Sequence, residues 1–141
     1  MEDKMDTEQI KQKIEIVVKE IINAIANNQY EKLETITKLD DSWYDETKDT
    51  VIAIQTFKNV IETNYNGWAE DEGKPFVINT FTSKNLLDDL QEIAKELLEN
   101  GSSFLSYELK TIDDDPDCFF LEFDLKLDSK NQITTIINLN F

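Results

Sequence analysis

Residues 119–127, FFLEFDLKL, set Phe119, Leu121, Phe123, Leu125 and Leu127 alternately with Phe120, Glu122, Asp124 and Lys126. Successive side chains of an extended chain point to opposite faces, so this stretch predicts a strand with one apolar face and one wet face. Leu105, Tyr107 and Leu109 carry the same alternation before it. After the polar turn DSKNQ, Ile133, Thr135, Ile137, Leu139 and Phe141 carry it again. Three consecutive stretches of period two predict an antiparallel meander whose apolar face needs a covering layer.

That layer has to come from upstream, where the period changes. Ile10, Ile14, Val17, Val18, Ile21 and Ile25 recur at spacings of three and four, predicting a helix capped by Asp6 or Thr7 with Glu8 and Gln9 in its first turn. After ANNQY, Tyr30, Leu33 and Ile36 predict a shorter helix over 30–39, interrupted by Asp40, Asp41 and Ser42. Val51, Ile54, Phe57, Ile61 and Tyr65 predict a third helix over 46–65, ended by NYNGW and followed by the loop WAEDEGKP. The β-branched and aromatic run FVINTF predicts a strand over 76–82. Leu86, Leu87, Leu90, Ile93, Ala94, Leu97 and Leu98 predict a helix over 84–99, stopped at Asn100 and Gly101. The expected fold is α+β, one domain over 1–141 with residues 1–6 expected to be disordered.

Several function classes are excluded or disfavoured by composition. The 141 residues include no histidine, and all 14 basic residues are lysine. A histidine-dependent nucleophile triad is impossible, a zinc enzyme is disfavoured, and the bidentate arginine grip on phosphate is missing. One cysteine, Cys118, excludes an internal disulfide or a multi-thiolate site, and nothing in the sequence equips it as a nucleophile. Thirty acids and fourteen lysines give a net charge of −16, which repels nucleic acid and anionic lipid, and which either only keeps the chain soluble and monomeric or makes part of its surface complementary to a basic protein. No apolar run is long enough for a membrane span. The acidic start MEDKMDTEQIKQK lacks the pattern of a secretory signal, so a cytoplasmic location is expected.

Two passages carry a family resemblance. IVVKEIINAIANNQYEKLETI, residues 16–36, resembles the opening long and short helices of the nuclear transport factor 2-like superfamily, and FFLEFDLKLDSKNQITTIINL, residues 119–139, resembles its closing hairpin. The resemblance implies a cone: N-terminal helices packed on a strongly curved, mostly antiparallel sheet. Segment 46–65 departs from that pattern. Catalytic members use an Asp–His pair, which cannot be carried over here, or an isolated carboxylate in the pocket. Other members are protein-binding modules, dimerising domains or bacterial immunity proteins, and small acidic immunity proteins are the nearest in character.

Candidate sites are acidic and aromatic. Asp113, Asp114, Asp115 and Asp117 surround Pro116 but lack the glycine and late bidentate acid of a calcium loop, so a solvated turn or a partner contact is expected and no metal or other cofactor. Asp40, Asp41, Asp45, Glu46 and Asp49 flank Trp43 and Tyr44, which either anchor a basic partner or turn inward; Trp68, beside Glu70, Asp71 and Glu72, poses the same choice. Glu122 and Asp124 share one face of a strand, read as its wet side rather than as a catalytic pair. The expected function is a non-catalytic domain that binds a basic protein, in one form an immunity protein against a basic toxin. The alternatives are a small-molecule binder or carboxylate enzyme of the cone fold, and a self-associating domain, so that a homodimer stays open.

Overall fold

The computed structural model describes residues 6–40, 43, 50–72, 78–110 and 120–140, with the side chains of 50, 64–72 and 140 outside that description. Helix α1 (Thr7–Ala26) begins with a reciprocal cap. The Asp6 carboxylate accepts from the Gln9 N–H at 2.9 Å, and Gln9 Oε1 accepts from the Asp6 N–H at 3.0 Å. Two donors at the helix start are thereby satisfied. Ile10, Ile14, Val18, Ile21, Ile22 and Ile25 line its buried face. Asn28, at φ 58°, then turns the chain, a left-handed conformation that asparagine tolerates better than most residues.

The expected helix over 30–39 is divided. A 3-10 turn (Tyr30–Lys32) runs into the four-residue α2 (Leu33–Ile36), and Thr37 is extended. Lys38–Leu39 form β1, which pairs parallel with the last strand. Tertiary partners decide this. The Thr37 hydroxyl hydrogen-bonds that of buried Thr135, and the Asp40 N–H donates to the Ile137 carbonyl at 2.8 Å. A helix through 39 would leave Thr135 and that strand edge without these partners.

Helix α3 (Thr50–Glu72) also departs from the expected 46–65: it continues through NYNG to Glu72, and residues 46–49 lie outside the described residues. One interior glycine costs about 1 kcal/mol relative to alanine, too little to stop a helix by itself. Its Ala53, Ile54, Phe57 and Ile61 are buried. The helix packs on the Tyr30–Ile36 segment.

Residues 78–82 form no strand beyond a bridge at Ile78, and 76–77 lie outside the described residues. Side chains take the donors that a ladder would have used. The Phe81 N–H donates to Asn23 Oδ1 at 2.8 Å, and the Thr82 N–H to the Tyr107 hydroxyl at 3.0 Å. The expected 84–99 helix is likewise shorter. A 3-10 turn (Ser83–Asn85) and extended Leu86 precede α4 (Leu90–Asn100), because Asp89 caps the Gln91 N–H at 2.8 Å and Leu86 bridges Tyr107. Gly101, at φ 78°, closes α4 in the left-handed conformation that glycine adopts most readily.

β2 (Ser102–Glu108), β3 (Phe120–Leu127) and β4 (Ile133–Asn140) form the expected meander, and the four-stranded sheet has the order β1-β4-β3-β2. The β1–β4 pair is parallel and the other two are antiparallel. The sheet is mixed and open rather than closed into the cone that the resemblance implied. Leu105, Tyr107, Leu121, Phe123, Leu125 and Ile137 point to one core, on which α1 and α4 pack.

Two buried phenols make this core sensitive to alkali. Burial pushes Tyr30 well above its ordinary pKa, and the nearby Glu62 carboxylate pushes the same way. Burial also raises Tyr107, while hydrogen bonds with Thr82 and Asn85 partly oppose it. A phenol held neutral in the fold keeps its proton where the unfolded chain has lost it. The contribution is intact below about pH 10 and falls as pH rises above that, with a limiting slope of about 1.4 kcal/mol per pH unit for each phenol. Urea midpoints should therefore drop above about pH 10, and less steeply for Tyr30→Phe. An equally steep drop in that variant would contradict the assignment.

Candidate functional site

The apolar parity of the strands is occupied by the core, so the opposite parity defines a second face. Registered across β2, β3 and β4, it has Ser102, Lys126 and Thr134 in one row, Phe104, Asp124 and Ile136 in the next, and Ser106, Glu122 and Asn138 in a third. Lys38 of β1 extends the middle row. Phe104 is 46% exposed in the centre of β2, and Asp124, Lys126 and Thr134 are exposed beside it. Glu122 and Asp124 are thus the wet side of an alternating strand, set among serine, asparagine and water-facing neighbours rather than in a closed cavity.

A short strap enlarges this face. The Leu87 N–H donates to the Ser106 carbonyl at 3.0 Å, and Asp88 Oδ2 accepts from the Ser106 N–H at 2.8 Å. With Leu86 opposite Tyr107, Leu87 falls opposite Ser106 and on the open side. Its side chain is 49% exposed. Phe104 and Leu87 therefore flank Ser106, on a face that carries the carboxylates of Glu122 and Asp124 with Asp88 on the strap, and also the ammonium groups of Lys38 and Lys126. A large ring and an aliphatic side chain offer contact area, and the acids supply a field that favours a cationic partner.

Of the partner-contact candidates singled out in the sequence, Asp40 and Trp43 are described throughout. Trp43 is half-buried: its ring meets Phe57 edge-on with centroids 5.0 Å apart, and its Nε1–H donates to Asn138 Oδ1 at 2.7 Å. Asp40 is partly buried, and its carbonyl accepts from the Trp43 N–H at 2.9 Å. The pair closes the β1 edge of the sheet. Asp41, Tyr44, Asp45, Glu46, Asp49, Asp113, Asp114, Asp115, Asp117 and Cys118 lie outside the described residues, as does the side chain of Trp68 on the α3 backbone. Among the described residues, no cluster of three or more carboxylates is placed to hold a metal ion. No helix among them is long and apolar enough to cross a membrane.

Phe104 and Leu87 were not singled out from the sequence. Phe104 carried a usable signal, since it is an aromatic on the wet parity of a strand whose Leu105 and Tyr107 face inward. Leu87 carried none, because its spacing fits the apolar stripe of a helix equally well. The chain matches no protein-family model, no curated protein and no solved structure.

Proposed function

We propose that this chain is a non-catalytic binding domain for a basic protein, and that the open face of the sheet is its contact surface. The observation that carries the reading is the exposed Phe104 beside Leu87, set among Asp88, Glu122 and Asp124 in a chain of net charge −16. Scattered apolar side chains on a surface are ordinary. Here one, Phe104, lies on β2 and the other, Leu87, on the strap hydrogen-bonded to it, positions already held by backbone hydrogen bonds, so that binding would cost little ordering entropy.

An immunity-type inhibitor of a basic toxin is the specific form we favour, within a distant relationship to the nuclear transport factor 2-like superfamily. The order of helices before a closing antiparallel hairpin and the acidic character support it. The domain would act by covering a cationic surface of its target, with the acidic field accelerating encounter and the apolar pair slowing release.

The test is capture from lysate and secreted fractions of the source organism on immobilised domain, over a series of salt concentrations. One basic protein retained stoichiometrically, and progressively lost as salt rises, is the expected result. Retention of no specific protein, or of an acidic one unaffected by salt, would overturn the reading.

A further inference from the structure

A second feature lies on the other side of the molecule, between α1 and the returning segment of the 3-10 turn and α2. Ile16, Lys19, Asn23 and Ala24 on α1, and Lys32 and Ile36 across the bend at Asn28, line an open cleft of about 710 Å³. That is the size range of small-molecule sites. The Asn23 side chain is fixed in the wall by the hydrogen bond that its Oδ1 accepts from the Phe81 N–H.

The chemistry of the lining runs against the rest of the chain. Thirty acids face 14 lysines overall, yet here Lys19 and Lys32 stand against Glu20. Neither lysine is ion-paired among the described residues, a state they share with Lys38, Lys126 and Lys130, whereas Lys11, Lys58, Lys95 and Lys110 each lie within 4 Å of a carboxylate. Ile16, Ala24 and Ile36 supply the apolar part, and Ile16 is 58% exposed. Asn27 and Gln29, also in the lining, add amide donors.

We propose that this cleft binds a small aliphatic carboxylate, with its chain against Ile16, Ala24 and Ile36 and its anionic end between Lys19 and Lys32. Two ammonium groups without carboxylate partners are complementary to one carboxylate, which also accepts hydrogen bonds from neutral amides. In a chain of net charge −16, two lysines without carboxylate partners at one cleft give an anionic group a favourable local field. An exposed isoleucine facing a half-buried one suits an alkyl chain rather than a polar sugar or nucleotide.

Decanoate is the probe, added below its micelle concentration to the full chain labelled with ¹⁵N, with decanol as a neutral match. Saturable amide shifts confined to residues 16–36 with decanoate, and about tenfold weaker binding of decanol, are expected. The variant Lys19→Gln/Lys32→Gln, at two exposed positions, should lose the same factor without a change in unfolding midpoint. Equal binding of decanol would reduce the cleft to an apolar hollow and overturn the proposal. So would an unchanged affinity in the lysine variant, or shifts spread over the whole surface.

Discussion

Phe123→Ala is expected to destabilise the domain by about 3–5 kcal/mol and to lower its Tm by roughly 10–15 °C. The ring lies on the central antiparallel strand, opposite Leu105 of β2 and Ile137 of β4, and all three side chains are fully buried. Removing it takes apolar area from the contact of the sheet with its helices and leaves a cavity that regular strands cannot close by sliding. The next residue is the control: Asp124 points to the open face, so Asp124→Ala should stay within about 0.5 kcal/mol. Equal effects at the two positions, read from urea unfolding, would contradict the assignment of the two faces.

Trp43→Ala should cost about 2–4 kcal/mol, again by urea unfolding. The ring joins elements far apart in sequence. Its edge packs on Phe57 of α3, while its N–H reaches Asn138 of β4. Both links are lost in alanine. Trp43→Phe keeps the packing and loses the hydrogen bond, so about 1 kcal/mol is expected there. A Trp43→Ala variant as stable as the wild type would show that the ring stands free of the core, as a partner-binding anchor would. Because the ring packs on Phe57 and bonds Asn138, any loss of binding in Trp43→Ala has first to be corrected for lost stability.

Much of the fold was legible because local pattern and tertiary demand agree. In α1 the capping residues and the spacing of isoleucines point to one helix, and the core uses that same stripe. In β3 the alternation that assigns Leu121, Phe123 and Leu125 inward also assigns Glu122 and Asp124 outward. Where the two disagree, the sequence misleads. Thr37 to Asp40 become extended because β4 offers partners about a hundred residues away, at Thr135 and Ile137. Leu86 and Leu87 leave their helical stripe because Tyr107 and Ser106 hold them in extended conformation.

The candidate surfaces were less legible for a related reason. Acidic and aromatic residues crowd 40–49, and a chain read one residue at a time gives that cluster the most weight. Exposure, however, depends on what the fold covers: Trp43 is drawn against Phe57, while Phe104, between Ser102 and Ser106 on the same face of β2, is left outward. The cleft beside α1 is hidden further still. Lys19 and Lys32 read as ordinary helix-surface lysines until the bend at Asn28 brings them to the same hollow.

The most direct measurement is the dissociation constant of the captured basic partner for the wild-type domain and for Phe104→Ala/Leu87→Ser. Removal of both side chains should weaken binding roughly thirtyfold, equivalent to about 2 kcal/mol, with the unfolding midpoint little changed. An unaltered constant would contradict the open sheet face as the contact surface.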